Sequence, residues 1–164
     1  MPKRKEDRPQ LPDKRIIKEY QEKNAKGWFA DLYRSRYFVG KGDGNHIDVV
    51  IISKSDPSFV KRIKIVPLAR LYRKDNFPQY DYKYVTLKED GWLYDKDVDF
   101  VAFEDYKTHM FVSRRALLDV VLNLVDFEDP AKSSVLAKLR PYTDEYEYMT
   151  FIPKDKLIDI QITI

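Results

Sequence analysis

The sequence predicts an α/β domain in which a mixed central β-sheet is flanked by helices. Two observations predict this class. Apolar residues recur at helical spacing near the start of the chain and again over residues 114–125. Short β-branched and alternating runs of strand length occupy the middle and the end. The order helix, strands, helix, strands favours a sheet that is covered by helices.

The composition indicates one folded domain. The chain has 164 residues, 43% of them hydrophobic, which is enough to enclose a core. It contains no cysteine, which excludes disulfides, thiolate chemistry and zinc sites built on cysteine. No apolar run approaches the ~20 residues that a membrane helix needs, and the first residues lack the pattern of a secretory signal. We therefore expect an intracellular protein, cytoplasmic or nuclear, with no membrane partner.

The first third of the chain predicts a tail and two helical segments. Residues 1–12 combine prolines with alternating charges and predict a flexible basic tail, which leaves 13–164 as the α/β domain. Asp13 is a candidate cap for a helix that ends near Lys23, and residues 24–27 are expected to interrupt or bend it. A second helical segment follows. Its aromatic side is expected to be buried and is formed by Trp28, Phe29, Leu32, Tyr33, Tyr37 and Phe38.

The strands are predicted from β-branched and alternating residues. Residues 40–45, with three of the five glycines, predict a loop, and 46–52 predict a central strand that is apolar on both faces. Residues 59 to about 72 predict a longer strand with an edge or a bulge at Pro67. The remaining predictions are a strand at 80–87, a hairpin of 97–103 with 109–113, helices at 114–125 and from Pro130 to 139, and strands at 146–152 and 157–164.

Asp48 is the anomaly of the central strand. A carboxylate within an otherwise apolar strand must be paired, hydrogen-bonded or bound to a metal, because burial of a bare charge costs a great deal of free energy. One interpretation is a structural aspartate that accepts backbone N–H groups, and the other is a metal-binding or catalytic role. His46 and His109 are the two histidines; both are expected to be structural.

Residues 26–32, the glycine-rich loop and the strand 46–51 resemble the opening of the PD-(D/E)XK, or restriction-endonuclease-like, nucleases. In that superfamily a helix with an acid precedes a strand with the metal-binding aspartate, and the next strand supplies Glu-x-Lys or Gln-x-Lys. Residues 98–103 and 110–118 are similar to the apolar strand, turn, strand and helix that follow there. The resemblance covers about residues 26–120 and implies a restriction-endonuclease-like fold and Mg²⁺-dependent cleavage of nucleic acid.

The resemblance assigns the candidate catalytic residues by position. Asp31 stands for the helix acid and Asp48 for the metal-binding aspartate, so both would bind Mg²⁺, and Lys64 would stabilise charge on the scissile phosphate. The third motif is degenerate, because Arg62 stands where the family has an acid and a guanidinium repels a cation. A second Asp-x-Lys occurs at 105–107, next to Glu104, in a predicted turn where such residues are ordinary.

A basic and aromatic stretch is the second functional signal. Lysine and arginine neutralise phosphates, and exposed aromatic rings stack on unpaired bases. The alternative is a solvated strand whose tyrosines fill core positions. The candidate phosphate ligands are Lys61, Arg62, Lys64, Arg70, Arg73 and Lys74, with Tyr72, Phe77, Tyr80 and Tyr82 interleaved or following.

Together these patterns predict a nucleic-acid-binding protein of nuclease ancestry, with DNA favoured over RNA. A Mg²⁺-dependent endonuclease with a degenerate active site is the catalytic version of the same prediction. The competing prediction is a non-catalytic protein-interaction module, such as a viral or accessory factor, whose tyrosine-rich surface binds a partner. A homodimer or a complex with a protein partner is compatible with either function.

Overall fold

A computed structural model describes residues 14–67, 82–105, 107–125, 136–139 and 147–164 of the chain. The two helices are α1 (Lys14–Tyr33) and α2 (Arg114–Leu124). The strands are β1 (Tyr37–Gly44), β2 (Ile47–Ser53), β3 (Val60–Val66), β4 (Tyr82–Thr86), β5 (Phe100–Asp105), β6 (Thr108–Ser113), β7 (Leu136–Leu139), β8 (Glu147–Pro153) and β9 (Gln161–Ile162).

The predicted mixed sheet is confirmed. Six strands form it in the order β1-β2-β3-β5-β6-β9, and a smaller sheet has the order β4-β8-β7. Among the described strands of this larger sheet, only β3 and β5 run parallel, and the other neighbouring pairs are antiparallel. The chain therefore makes a meander through β1, β2 and β3, and returns beside β3 as β5 after the segment that contains β4.

The helices cover opposite faces of the six-stranded sheet. Phe29 and Tyr33 of α1 pack in one buried cluster with β2 and β3 residues such as Ile51 and Ile63. Leu117 and Val121 of α2 belong to a second cluster with alternate residues of β5 and β6 and with residues of β4 and β8. Successive strand residues point to opposite faces, so the apolar runs of β2, β3 and β5 supply both clusters.

The helix α2 begins where the sequence places it. Ser113 caps it, since its Oγ accepts the Ala116 N–H at 3.3 Å. Arg114 is buried and donates to the carbonyls of Val98 at 3.1 Å and Leu93 at 2.8 Å. These bonds attach the start of α2 to the segment before β5.

The predicted break at residues 24–27 is wrong, because α1 is continuous from Lys14 to Tyr33. Ala25 is buried against the sheet, and Gly27 lies on the exposed side of the helix. The packing of Ala25 therefore outweighs the weak helix propensity of Gly27. Tyr37 and Phe38 lie in β1 rather than in a helix, paired with Ser53 and Ile52.

The predicted glycine loop is also wrong over most of its length. Residues 40–44 continue β1, and a register shift between Lys41 and Gly44 accommodates the glycines. A Cβ atom on Gly42 would overlap with the carbonyl group of Ile47, so this close approach of two backbones requires glycine.

Two further strand boundaries differ from expectation. β3 ends at Val66, before Pro67, because it pairs with β2 on one side and β5 on the other and proline has no N–H to donate. Of the predicted strand at 157–164, only the short β9 is strand, and a 3₁₀ helix (Ile158–Ile160) precedes it. Its alternating isoleucines do not line one buried face, since Ile158 is 58% exposed.

Other predictions are confirmed or lie outside the described residues. The strand near 80–87, the β5–β6 hairpin and the strand near 146–152 are present. Residues 136–139 form β7, not the end of a helix, and the rest of that predicted helix lies outside the described residues. So do the tail at 1–12 and residues 68–81. No helix in the described ranges is long and apolar enough to span a bilayer.

Candidate functional site

Asp48 lies where the pairing of β2 and β3 ends. The register of the two strands runs from Val49–Ile63 to Ile52–Val60. Beyond it, Oδ2 of Asp48 accepts the N–H of Ile65 at 2.7 Å. The carboxylate thus satisfies a backbone donor at the end of this ladder, as the structural interpretation of this residue requires.

Two lysines compensate the charge of Asp48. Lys64 Nζ lies 3.4 Å from Oδ2 and Lys26 Nζ lies 3.8 Å from Oδ1. The side chains of Asp48 and Lys64 are only 12% and 16% exposed, so solvent screens this pair weakly. The structure therefore brings together Asp48 and Lys64, two of the three candidate catalytic residues, and adds Lys26, which sequence reasoning did not select.

Asp31 does not join them. Its side chain is 69% exposed and pairs with Arg34 at 3.4 Å, one turn along α1. Among the described residues there is no group of three or more histidines, cysteines or carboxylates that would hold a metal ion. Asp48, with one oxygen bonded to an N–H and two ammonium groups beside it, is a poor match to the oxygen-rich ligand set of Mg²⁺. The Mg²⁺ site at Asp48 and Asp31 stays a prediction.

Arg62 is neutralised by β1. Its Nε lies 3.1 and 3.2 Å from the two carboxylate oxygens of Asp43, and a second guanidinium nitrogen lies 3.1 Å from Oδ2. The hydrogen bond to Asp43 raises the pKa of Arg62 above its ordinary value. Asp99 accepts the backbone N–H of Arg62 at 2.8 Å. The Arg62 guanidinium is therefore engaged within the sheet.

Lys61, in contrast, lies over aromatic rings. Its Nζ is 5.5 Å from the ring centre of Phe59 and 5.4 Å from that of Phe100, and Phe59 also contacts Tyr37 at 6.1 Å. Among the described residues no carboxylate pairs with Lys61. Of the six predicted phosphate ligands, Arg70, Arg73 and Lys74 lie outside the described residues. Lys61 is thus the one described member of that set without an acidic partner in the described part of the chain.

Two more cations lie at the same end of the sheet. Arg36 lies 5.9 Å above the ring centre of Tyr37, and Lys54 lies 5.2 Å from that of Phe38. Neither has a carboxylate partner in the described ranges. This end of β2 is five residues from Asp48, or roughly 17 Å at strand spacing. We call Arg36, Lys54 and Lys61, with the rings beneath them, the basic–aromatic edge.

Sequence reasoning missed Arg36 and Lys54. The pairing Tyr37–Ser53 and a hydrogen bond from the Lys54 N–H to the Arg36 carbonyl, at 3.0 Å, bring these distant residues together. The only signal in the sequence is that a cation stands next to an aromatic residue at 36–37. That pattern is common in this chain, so it does not single out the site.

The second Asp-x-Lys is engaged in the fold. Asp105 is buried, and its Oδ2 lies 2.8 Å from Lys154 Nζ and 3.5 Å from Lys83 Nζ. Lys83, on β4, is 2% exposed, so the pair joins the smaller sheet to the larger one. These contacts give the carboxylate of the second Asp-x-Lys a structural role.

The histidines occupy different surroundings. His46 Nδ1 lies 2.8 Å from Asp95 Oδ2 in a partly buried contact. His109 is buried among Trp28, Phe29, Tyr33 and Phe111, and its Nδ1 lies 3.1 Å from the Tyr33 hydroxyl. Burial lowers the pKa of His109 from 6.5 to about 4, although the charge of Asp105 opposes the shift.

Comparison with known proteins gives no relative: no family model, curated protein or solved structure matches the chain.

Proposed function

We propose that this protein binds nucleic acid, DNA in preference to RNA, through the basic–aromatic edge, and does so without cutting it. One observation carries the proposal: Arg36, Lys54 and Lys61 lie over aromatic rings and have no carboxylate partner among the described residues. Other described cations, such as Lys26, Arg62 and Lys64, are paired with Asp48 or Asp43.

Cations without acidic partners keep their full attraction for phosphate. Neutralising a phosphate with lysine or arginine releases condensed counterions, which is the main source of affinity in sequence-independent binding. The rings are partly accessible as well: Phe38 is 60% exposed, and Tyr37 and Phe59 are half-buried. Exposed rings beside cations suit single strands, whose unpaired bases stack on them.

The arrangement of the paired residues supports descent from a restriction-endonuclease-like nuclease. Asp48 lies one residue before the part of β2 that pairs with β3. Lys64 lies on β3, and its Nζ is 3.4 Å from Oδ2 of Asp48. The β5–β6 hairpin then leads directly into α2. This is the order of elements on which the resemblance rests. The ammonium groups of Lys26 and Lys64 replace a cation beside Asp48, which favours binding over cleavage.

Salt-dependent binding tests the proposal. We expect fluorescence anisotropy to show binding of a single-stranded DNA that weakens steeply between about 50 and 200 mM salt. A triple variant, Arg36→Gln, Lys54→Gln and Lys61→Gln, removes three phosphate contacts. It is therefore expected to lower the slope of log affinity against log salt by about 2, at about 0.7 for each contact to a single strand.

The matched control removes three cations elsewhere, Lys88→Gln, Lys96→Gln and Arg115→Gln. It has the same net charge as the test variant and is expected to keep most of the wild-type slope. Equal slopes for the two triple variants would contradict the proposal. Duplex DNA and RNA of equal length measure the preference. Absence of salt-sensitive binding to all of them would favour the protein-interaction module.

Cleavage is tested separately with plasmid, single-stranded DNA and structured RNA in the presence of Mg²⁺ or Mn²⁺. We expect no cleavage by the wild-type protein. Cleavage that Asp48→Ala abolishes would overturn the non-catalytic part of the proposal and support the metal site at Asp48. Cleavage that Asp48→Ala leaves unchanged would come from a contaminant or from another site.

A further inference from the structure

The basic–aromatic edge includes a cleft of about 400 Å³ between the end of α1 and the turn that follows β2. Its lining contains two cations, three hydroxyl-bearing serines and one tyrosine, and no carboxylate. The lining residues are Ser35, Arg36, Tyr37, Ser53, Lys54 and Ser55.

The two sides of this cleft are held together by backbone hydrogen bonds. The Lys54 N–H donates to the Arg36 carbonyl at 3.0 Å, and the Arg36 N–H donates to the Tyr33 carbonyl at 3.1 Å. Ser53 is buried; its Oγ accepts the Asp56 N–H at 3.2 Å and lies 3.1 Å from the Ser55 Oγ. The cations and hydroxyls are therefore brought to one place by the fold before any ligand binds.

The nearest acidic groups along the chain are engaged elsewhere. Asp56 Oδ1 accepts the N–H of Ser58 at 3.1 Å and its hydroxyl at 2.6 Å. Asp31 pairs with Arg34. The lining itself carries two cations, Arg36 and Lys54, and no carboxylate, which makes the cleft suited to an anion.

We propose that this cleft binds a phosphate monoester, the group that ends a phosphorylated nucleic-acid strand. A monoester carries close to two negative charges at neutral pH and three terminal oxygens that accept hydrogen bonds. Two cations and adjacent hydroxyls match that group better than they match a backbone phosphodiester, which carries a single charge. This inference rests on the proposed function for the source of the ligand, and on the lining of the cleft for its chemistry.

The experiment compares three single-stranded DNAs labelled at the 3′ end. One ends in a 5′-phosphate, one in a 5′-hydroxyl, and one ends in a 5′-hydroxyl but is a nucleotide longer, so that its phosphate count matches the first. We expect the 5′-phosphate to raise affinity about tenfold over both hydroxyl strands, the scale of a charge-assisted hydrogen bond. A strand with a 3′-phosphate and a 5′ label tests the other end.

Variants separate the cleft from the rest of the edge. Arg36→Gln and Lys54→Gln are each expected to abolish the preference for the phosphorylated end, and Ser55→Ala to reduce it. Lys61→Gln, outside the cleft, is expected to weaken all strands equally and to keep the preference. Arg115→Gln, an equal charge change on the opposite side of the sheet, is expected to change neither quantity. All five positions are at least partly exposed, so folding is expected to survive.

Titration of the protein with inorganic phosphate, followed by ¹H–¹⁵N NMR, distinguishes the outcomes. Shifts of the Ser53, Lys54 and Ser55 amides without binding of any oligonucleotide would support the cleft, identify a free phosphorylated small molecule as its ligand, and contradict the proposed function. Binding of all strands with no effect of the end group, and no amide shifts, would overturn the cleft and leave the proposed function standing. A preference that survives Arg36→Gln and Lys54→Gln would also overturn it.

Discussion

Asp48 and His109, two ionisable side chains that are half-buried and buried, are accommodated in different ways. Asp48 is compensated by its contacts, an N–H group that it accepts and two lysine ammonium groups beside it. His109 is surrounded by aromatic rings and is kept neutral, since burial lowers its pKa to about 4. Among the described residues its Nε2 has no hydrogen-bond partner, so a proton added there would have no acceptor.

His109 is expected to make stability depend on pH. Its pKa is about 4 in the folded protein against 6.5 as the ordinary value, so the unfolded chain binds more protons between these pH values. Its contribution to the free energy of unfolding is complete above pH 6.5 and is lost as pH falls toward 4. The loss is about 3 kcal/mol for the full shift. Urea denaturation at several pH values from 4.5 to 7.5 measures it.

Two substitutions isolate this histidine from the carboxylates that titrate in the same range. His109→Phe removes the ionisable group but keeps a ring in the aromatic cluster, and it is expected to flatten the dependence between pH 4.5 and 6.5. His46→Gln, at the other histidine, is expected to retain the contribution of His109. Parallel curves for the wild type and His109→Phe would show that His109 does not carry the effect.

At the scale of elements, two glycines have opposite roles. Gly27 lies inside α1, where an added Cβ atom meets nothing within 4 Å. Gly42 lies in the β1–β2 irregularity, where the same atom would overlap with the backbone of Ile47. The helix α1 tolerates Gly27 at a cost in backbone entropy, whereas the pairing of β1 with β2 requires Gly42.

We therefore expect opposite results from the same substitution. Gly27→Ala is expected to raise the free energy of unfolding by about 1 kcal/mol, the difference in helix propensity between the two residues. Gly42→Ala is expected to lower the free energy of unfolding by about 1–3 kcal/mol, the range for overpacked sites. Thermal or urea denaturation measures both.

Gly40→Ala is the matched control in β1, because the nearest atom to its added Cβ is the Val50 carbonyl oxygen at 3.8 Å, an ordinary contact. It is expected to change stability little. A destabilised Gly27→Ala would indicate that α1 bends at that residue in solution.

At the scale of the molecule, two sheets share one core and one buried ion pair. Val85 of β4 and Ile152 of β8 belong to the same apolar cluster as residues of β5 and β6. Lys83 and Lys154 reach Asp105 at the end of β5, so the attachment of the smaller sheet includes a charged contact that solvent barely screens. Removal of one partner from such a pair reduces the compensation of a charge that stays buried.

Asp105→Asn tests this attachment. The variant keeps the shape of the side chain but removes the charge 3.5 Å from Lys83, which is 2% exposed. We expect a loss of about 3–5 kcal/mol in the free energy of unfolding, measured by urea denaturation. Asp31→Asn, which breaks an exposed pair on α1, is the control and is expected to have little effect. Similar small losses in both variants would mean that the buried pair does not hold the sheets together.

Several features of the fold follow from the sequence because they depend on local periodicity and on the cost of burying charge. The α/β class, the strands at 46–52 and 80–87, the β5–β6 hairpin and α2 are of this kind. So is the prediction that Asp48 needs compensation, since a carboxylate in an apolar strand is costly whatever surrounds it. The predictions of a helix break at 24–27 and of a loop at 40–45 were wrong, because packing in α1 and strand pairing in β1 outweigh the local propensity of glycine.

The sequence by itself determined the class of fold, several of its strands and the presence of a compensated carboxylate. Only the tertiary structure decided which cations stay available for a ligand. Lys61, Arg62 and Lys64 lie within four residues of one strand, yet Asp43 on β1 pairs with Arg62 and Asp48 on β2 pairs with Lys64. The pairing of β1 with β2 likewise brings Arg36 to Lys54. Electrostatic compensation depends on distance in space, and strand pairing sets that distance.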